Sequence, residues 1–243
     1  MPVTHVASPA RYCYTGAMRA KILSNRREIT RLEGFSDAVF GFALTLLVVS
    51  LEVPGTYTEL INAMRGFGAF ACCFAIVSWI WYEHNLFFRR YGLQDGFTIF
   101  FNLVLLFVVL FYVYPLKFIF TRLLGGVFGA PAPAGTASSA NDASLMLIYS
   151  AAFLVLFLIF SLLYWHALRN REELELDPLG VHDATTGLWR HLLTALIALS
   201  AMTIAFLLPE RAGWAGWVYF MLGPLHGIFG YLRGKRREQL KRH

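Results

Sequence analysis

The sequence predicts an all-α, polytopic membrane protein with six transmembrane helices, and three observations carry that prediction. Of 243 residues, 57% are hydrophobic and only 15% charged, against about 25% charged in an ordinary soluble domain. The mean hydropathy is +0.55. Apolar runs recur six times, at about 34–53, 61–82, 97–118, 144–167, 189–208 and 213–232, each long enough to cross a hydrocarbon core of about 30 Å.

The first run, Gly34 to Val53, extends about 30 Å as a helix and stops at Pro54-Gly55, a helix-ending pair. The link from Pro54 to Leu60 is short, so spans 1 and 2 form a hairpin. After span 3 come Gly125-Gly126 and a stretch from Ala130 rich in Pro, Ala and Ser, which reads as a flexible loop. Span 4 is followed by the charged stretch Arg169 to Asp183, whose Pro178 and Gly180 mark a loop or short surface helix. No segment occurs twice, so the chain holds one repeat. Its organisation is a basic N-terminal segment (1–30), a membrane domain (31–232) and a basic tail (233–243).

Twenty-one Lys and Arg against fifteen Asp and Glu give a net charge of +6. The surplus flanks the apolar runs instead of forming a basic groove, which excludes nucleic acid as a partner. Only Arg65, Lys117, Arg122 and Arg211 fall on the side away from the termini. By the positive-inside rule both ends are cytoplasmic, in a plasma or inner membrane. Tyr57, Tyr112, Tyr114, Trp214, Trp217 and Tyr219 fall near outer span ends, as an aromatic belt would. The first thirty residues carry no apolar core and cleavage site, so no signal peptide is expected. Cys13, Cys72 and Cys73 have no metal-ligand spacing. Glu83, His84, His166, His191 and His226 are the candidates for a catalytic metal. They lack the His-Glu-x-x-His spacing, and no Gly-x-Ser-x-Gly nucleophile motif occurs. The chain is not expected to be an enzyme or to hold a cofactor or resident metal.

One segment resists an explanation by apolar packing: Arg31-Leu-Glu-Gly-Phe35-Ser36-Asp37-Ala38. In one reading Asp37, with Ser36, accepts backbone N–H groups and complements the positive end of the helix dipole. In the other it belongs to a buried polar knot. At about 100° per residue, Phe35, Phe42, Leu46, Val49 and Val53 fall within about 40° of one line. Gly34, Ala38, Gly41 and Thr45 form a neighbouring strip whose spacing lets another backbone approach closely. Ser36 and Asp37 lie away from the bulky line. An unpartnered carboxylate in a membrane is costly, and Arg31, His84 and Asn102 all belong near its cytoplasmic end. The knot is then Arg31, Ser36, Asp37, His84 and Asn102, tying spans 1, 2 and 3. For His84 alone the competing reading is an interfacial, snorkelling histidine.

Arg31-x-x-x-Phe35-Ser36-Asp37-Ala38 running into Phe42-Ala-Leu-Thr45-Leu46-Leu-Val-Val49 resembles the signature first helix of the transmembrane protein 175 family, the endolysosomal potassium channels and their bacterial relatives. Trp79-x4-His84, Asn102 and Tyr114-Pro115 extend the match. The resemblance implies a moderately selective, passive K+ channel whose pore is lined by the first helix and narrowed by apolar side chains. A single repeat implies a homotetramer in membrane lipid, with four copies of the helix around the axis and K+ only in transit. Phe42, Leu46 and Val49 would face the pore, and Thr45 would add a hydroxyl at the constriction. Arg31, Phe35, Ser36, Asp37, His84 and Asn102 would form the structural motif. Phe42 departs from the Ile or Leu usual in relatives. A ring of four phenylalanines is bulkier and adjusts by χ rotation. The alternative is a proton- or cation-coupled secondary transporter that titrates Asp37, His84 or Glu83. Related halves and midplane breaks, the marks of such carriers, are absent from the sequence.

Overall fold

The computed structural model describes residues 30–49, 54–128 and 139–240, and among these the regular structure is entirely helical. The elements are α1 (Arg31–Val49), α2 (Tyr57–Arg65), α3 (Phe67–Tyr91), α4 (Gly96–Phe128), α5 (Ser139–Arg169), α6 (Pro178–Leu207), α7 (Ala212–Val218) and α8 (Leu222–Leu240), with 3-10 turns at Pro209–Arg211 and Tyr219–Met221. Expectations for the segment 1–29, for Val53, for the Pro- and Ala-rich stretch and for residues 241–243 of the basic tail lie outside the described residues.

Four of these helices are long and apolar enough to cross a membrane, and α2 with α3, bent by 42° at their junction, is so only as a pair, which brings the candidates to five if the pair is one span. The chain is a multi-pass membrane protein. The bend falls at Gly66, whose N–H still bonds back to Asn62 and Ala63 while the axis changes direction. α3 runs well past the apolar stretch to Tyr91 and ends at Gly92, which adopts the left-handed φ of 60° that favours glycine at a helix end. The expected loop before span 5 is shorter than the sequence implies. Asp177 caps α6 by accepting from the Gly180 amide at 2.6 Å, and Pro178 takes the first helical position. There its missing N–H costs nothing and its fixed φ is helical. Pro178 and Gly180 therefore start a helix instead of breaking one. The sixth run is divided by the 3-10 turn at Tyr219–Met221, and neither α7 nor α8 alone is a candidate span.

Contacts at the helix ends set the direction of each element. At one end His166 of α5 meets Asp95 just before α4 at 2.9 Å. At the same end Arg90 of α3 and Arg237 of α8 converge on Asp183 of α6. At the other end Arg122 of α4 pairs with Asp142 of α5, 2.8 Å apart. α3, α4, α5 and α6 thus alternate in direction, and α8 ends on the side where α3 ends. The core joins Phe40 and Leu47 of α1, Ile80 and Phe87 of α3, Leu105 and Leu116 of α4, and Leu156, Phe157 and Phe160 of α5. Tyr112, assigned by sequence to the aromatic belt, is fully buried in this core, whereas Tyr57, Tyr114, Trp214 and Trp217 are exposed. α5 and α6 approach closely at Gly187, where an added Cβ would lie 2.2 Å from Tyr164 Cε1.

Candidate pore helix and its polar anchor

α1 begins with a reciprocal cap. The Thr30 hydroxyl accepts from the Glu33 amide at 3.1 Å, and the Glu33 carboxylate accepts from the Thr30 amide at 2.8 Å. This is the capping box encoded by Thr-x-x-Glu. The signal for it is local, in Thr30-Arg-Leu-Glu33. With the helix already capped, Ser36 and Asp37 sit in its second turn, and neither accepts a backbone N–H there.

Ser36, Phe40, Ala43 and Leu47 form the buried face of α1, spaced by four, three and four residues as one side of a helix must be. Ser36 is the polar member. Its hydroxyl donates to the Leu32 carbonyl at 2.8 Å and accepts from Asn102 Nδ2 at 2.9 Å. Asn102 Oδ1 then stands 2.7 Å from His84 Nε2. An amide oxygen only accepts, so Nε2 carries the proton. His84 thus donates to Asn102, Asn102 to Ser36, and Ser36 to the Leu32 carbonyl. His84 is held between the rings of Phe40 and Phe88, at 5.4 and 4.5 Å. This buried chain links α3, α4 and α1 and fixes the rotation of α1 about its own axis.

The structure brings Ser36, His84 and Asn102 of the expected knot together and leaves Arg31 and Asp37 outside it. Arg31 is exposed. Asp37 is also exposed and accepts a hydrogen bond from Trp81 Nε1 at 2.8 Å, a partner that sequence inspection passed over. Trp81 lies one helical turn before His84 on α3; it bonds α1 directly, whereas His84 reaches α1 through Asn102.

On the opposite side of α1, the large apolar residues are uncovered. Phe42 is 66% exposed, Val49 73% and Leu46 36%, and Phe35 is exposed as well. Thr45 is exposed and its hydroxyl donates to the Gly41 carbonyl at 2.8 Å, which leaves its oxygen lone pairs to face outward. The strip of Gly34, Ala38, Gly41 and Thr45, expected to receive another backbone, meets none among the described residues: nothing there lies within 4 Å of a Cβ placed on Gly34 or Gly41.

The other ionisable groups are engaged elsewhere. Glu83 is buried and ion-paired with Arg190 of α6, with His191 Nε2 at 3.7 Å. His226 meets the Thr194 hydroxyl at 2.9 Å. Among the described residues no three His, Cys, Asp or Glu side chains converge as a metal site would require. At the arginine-rich end, partial burial alone would raise the Asp95 carboxyl, but the Thr98 hydroxyl and His166 outweigh it and hold the group below its ordinary value.

Residues 31–112, which contain α1 and its anchor, match the family model described as endosomal/lysosomal potassium channel TMEM175. A potassium channel of Marivirga tractuosa is 37% identical over 225 residues, covering 88% of this chain and 91% of that protein. A potassium channel of Chamaesiphon minutus is 30% identical over 148 residues, 58% of this chain and 66% of its own length. A solved variant of the potassium channel MtTMEM175, in complex with a nanobody–MBP fusion, superposes with a TM-score of 0.75 at 37% identity and covers 86% of this chain and 95% of that one. With a relative this similar along nearly its whole length, and with the family model falling on α1 and its anchor, the chain belongs to the TMEM175 family.

Proposed function

We propose that this protein is a passive potassium channel, a homotetramer of six-span subunits in the plasma or inner membrane with both termini cytoplasmic and one copy of α1 from each subunit around the pore. The observation that carries this reading is the two-sided character of α1. One face is locked to α3 and α4 by Ser36, Phe40, Ala43 and Leu47, and the other presents Phe42, Thr45, Leu46 and Val49 uncovered. A helix facing only lipid has no use for a capped polar start, two glycines and an outward threonine on its free side. The position of Arg90, Asp183 and Arg237 at the same end as the start of α1 supports an even number of passes.

In such a tetramer Phe42, Leu46 and Val49 form apolar rings that close the path by dewetting, and small rotations of α1 admit a continuous water column. K+ is favoured over Na+ because its hydration shell costs less to remove. Thr45 assists: its proton is committed to Gly41, so its oxygen faces the path as an acceptor. The transporter reading has less support. Asp37 and His84 hold separate partners, Trp81 and Asn102, and share no site that a coupled ion could load.

Purified protein in liposomes under a K+ gradient, with the voltage set by ionophore, separates the classes. Flux of thousands of ions per second per protein is the expected result. Turnover of a few ions per second, or flux that stops without a proton gradient, would reject the channel.

A further inference from the structure

Away from α1, the half of the bundle that holds Arg122 and Asp142 contains an apolar cavity of about 710 Å³ between α3, α4, α5 and α7. Trp79, Phe120, Met146, Phe153, Trp217 and Phe220 supply much of its wall. The Tyr219 hydroxyl donates inward to Ser150 at 2.9 Å, so it offers the cavity little polarity. Water does not fill a space so lined, and the volume falls within the range of about 300–1,000 Å³ typical of ligand sites. In a bilayer the apolar solvent at hand is the acyl chain.

The charges sit on the rim. Arg122 and Asp142 line the cavity as an ion pair, each about a third exposed. Arg122 lies about 39 Å along the helix from Gly96, the first residue of the α4 span, which exceeds a hydrocarbon core of about 30 Å and puts the pair at the depth of lipid headgroups. The rim is neutral overall but carries one guanidinium and one carboxylate. An anionic headgroup would meet Asp142 and a cationic one would meet Arg122. A headgroup with both a phosphate and an N–H-bearing ammonium satisfies each with a charge-assisted hydrogen bond.

We propose that this cavity is a binding site for a zwitterionic phospholipid with a primary ammonium, one acyl chain inside, its phosphate on Arg122 and its ammonium on Asp142. The site is independent of the pore assignment and stands on the α4–α5–α7 geometry alone.

Native mass spectrometry of the purified full-length protein tests it, using phosphatidylethanolamine, phosphatidylcholine and phosphatidylglycerol with identical acyl chains. Phosphatidylethanolamine is expected to be retained about tenfold more than the other two, the ratio carried by one charge-assisted hydrogen bond. The double variant Arg122→Gln/Asp142→Asn should abolish that preference. Gly213 lines the cavity and has open space around its Cβ position, so Gly213→Phe should abolish retention of all three lipids. Equal retention of the three by the wild-type protein overturns the headgroup assignment, and retention unchanged in Gly213→Phe overturns the cavity assignment. No lipid retained at all would mean that a second copy or the chain itself closes the space, which also overturns the proposal. Should Gly213→Phe fail to assemble, the wild-type headgroup series decides alone.

Discussion

Asn102 is the residue on which the orientation of α1 depends most. Its amide satisfies Ser36 with one end and His84 with the other, so its removal strands groups on two helices, whereas loss of the Ser36 hydroxyl strands one. Leaving a buried polar group unsatisfied costs about 1–3 kcal/mol. Asn102→Ala should therefore lower the thermal stability of the purified protein more than Ser36→Ala does, and fluorescence-detected unfolding would register the order. Asp95 gives a pH prediction. Its folded value is depressed, so its contribution to stability is present above the ordinary carboxyl range of about 4 and is lost as acid protonates it. Thr98 supplies part of that depression. The melting temperature of Thr98→Val should therefore fall by less on acidification than that of the wild type, because less of the depression remains to be lost. Superimposable pH profiles would show that the Thr98 contact contributes nothing. The Ser36, His84 and Asn102 contacts were legible in the sequence because each is a polar residue inside an apolar run. The Asp37–Trp81 bond was not, since a tryptophan in a membrane helix is already accounted for by its apolar bulk and only a structure shows where its N–H points.

Among the elements, α5 and α6 are the pair with least tolerance. Gly187 sits under the Tyr164 ring, where a Cβ would come within 2.2 Å of the ring, while Gly213 has open space. Overpacking of this kind typically costs about 1–3 kcal/mol. Gly187→Ala should lower the unfolding temperature measurably and Gly213→Ala should not. Equal stability of the two variants would show that the helices separate at no cost. The element boundaries show what hydropathy reports. It located the apolar runs of spans 1 to 5 well because lipid demands apolar side chains over a fixed thickness. It could not see that α3 continues to Tyr91, because Arg89 and Arg90 are good helix formers beyond the apolar layer and Gly92 supplies the stop. Pro178 misled for a related reason: a proline ends a helix from inside and starts one from its first position, and Asp177 decides between them.

For the whole molecule, the described residues of a single chain leave the bulky face of α1 uncovered, and the proposed tetramer would give that face its use. The family was legible in Arg31 to Val49, since the motif residues and the apolar line are local in sequence. The coverage of the free face, the number of subunits and the depth of the constriction are not local properties, and no periodicity within one chain encodes them. The two faces of α1 make the pore assignment directly testable by cysteine substitution in a background without Cys13, Cys72 and Cys73. With the protein reconstituted in planar bilayers, a water-borne, positively charged thiol reagent should block potassium current through variants with cysteine at Phe42, Thr45, Leu46 or Val49. It should spare variants with cysteine at Phe40, Ala43 or Leu47, which face α3 and α4. Block at the second set, or current indifferent to reagent at the first, would contradict a pore lined by this face of α1.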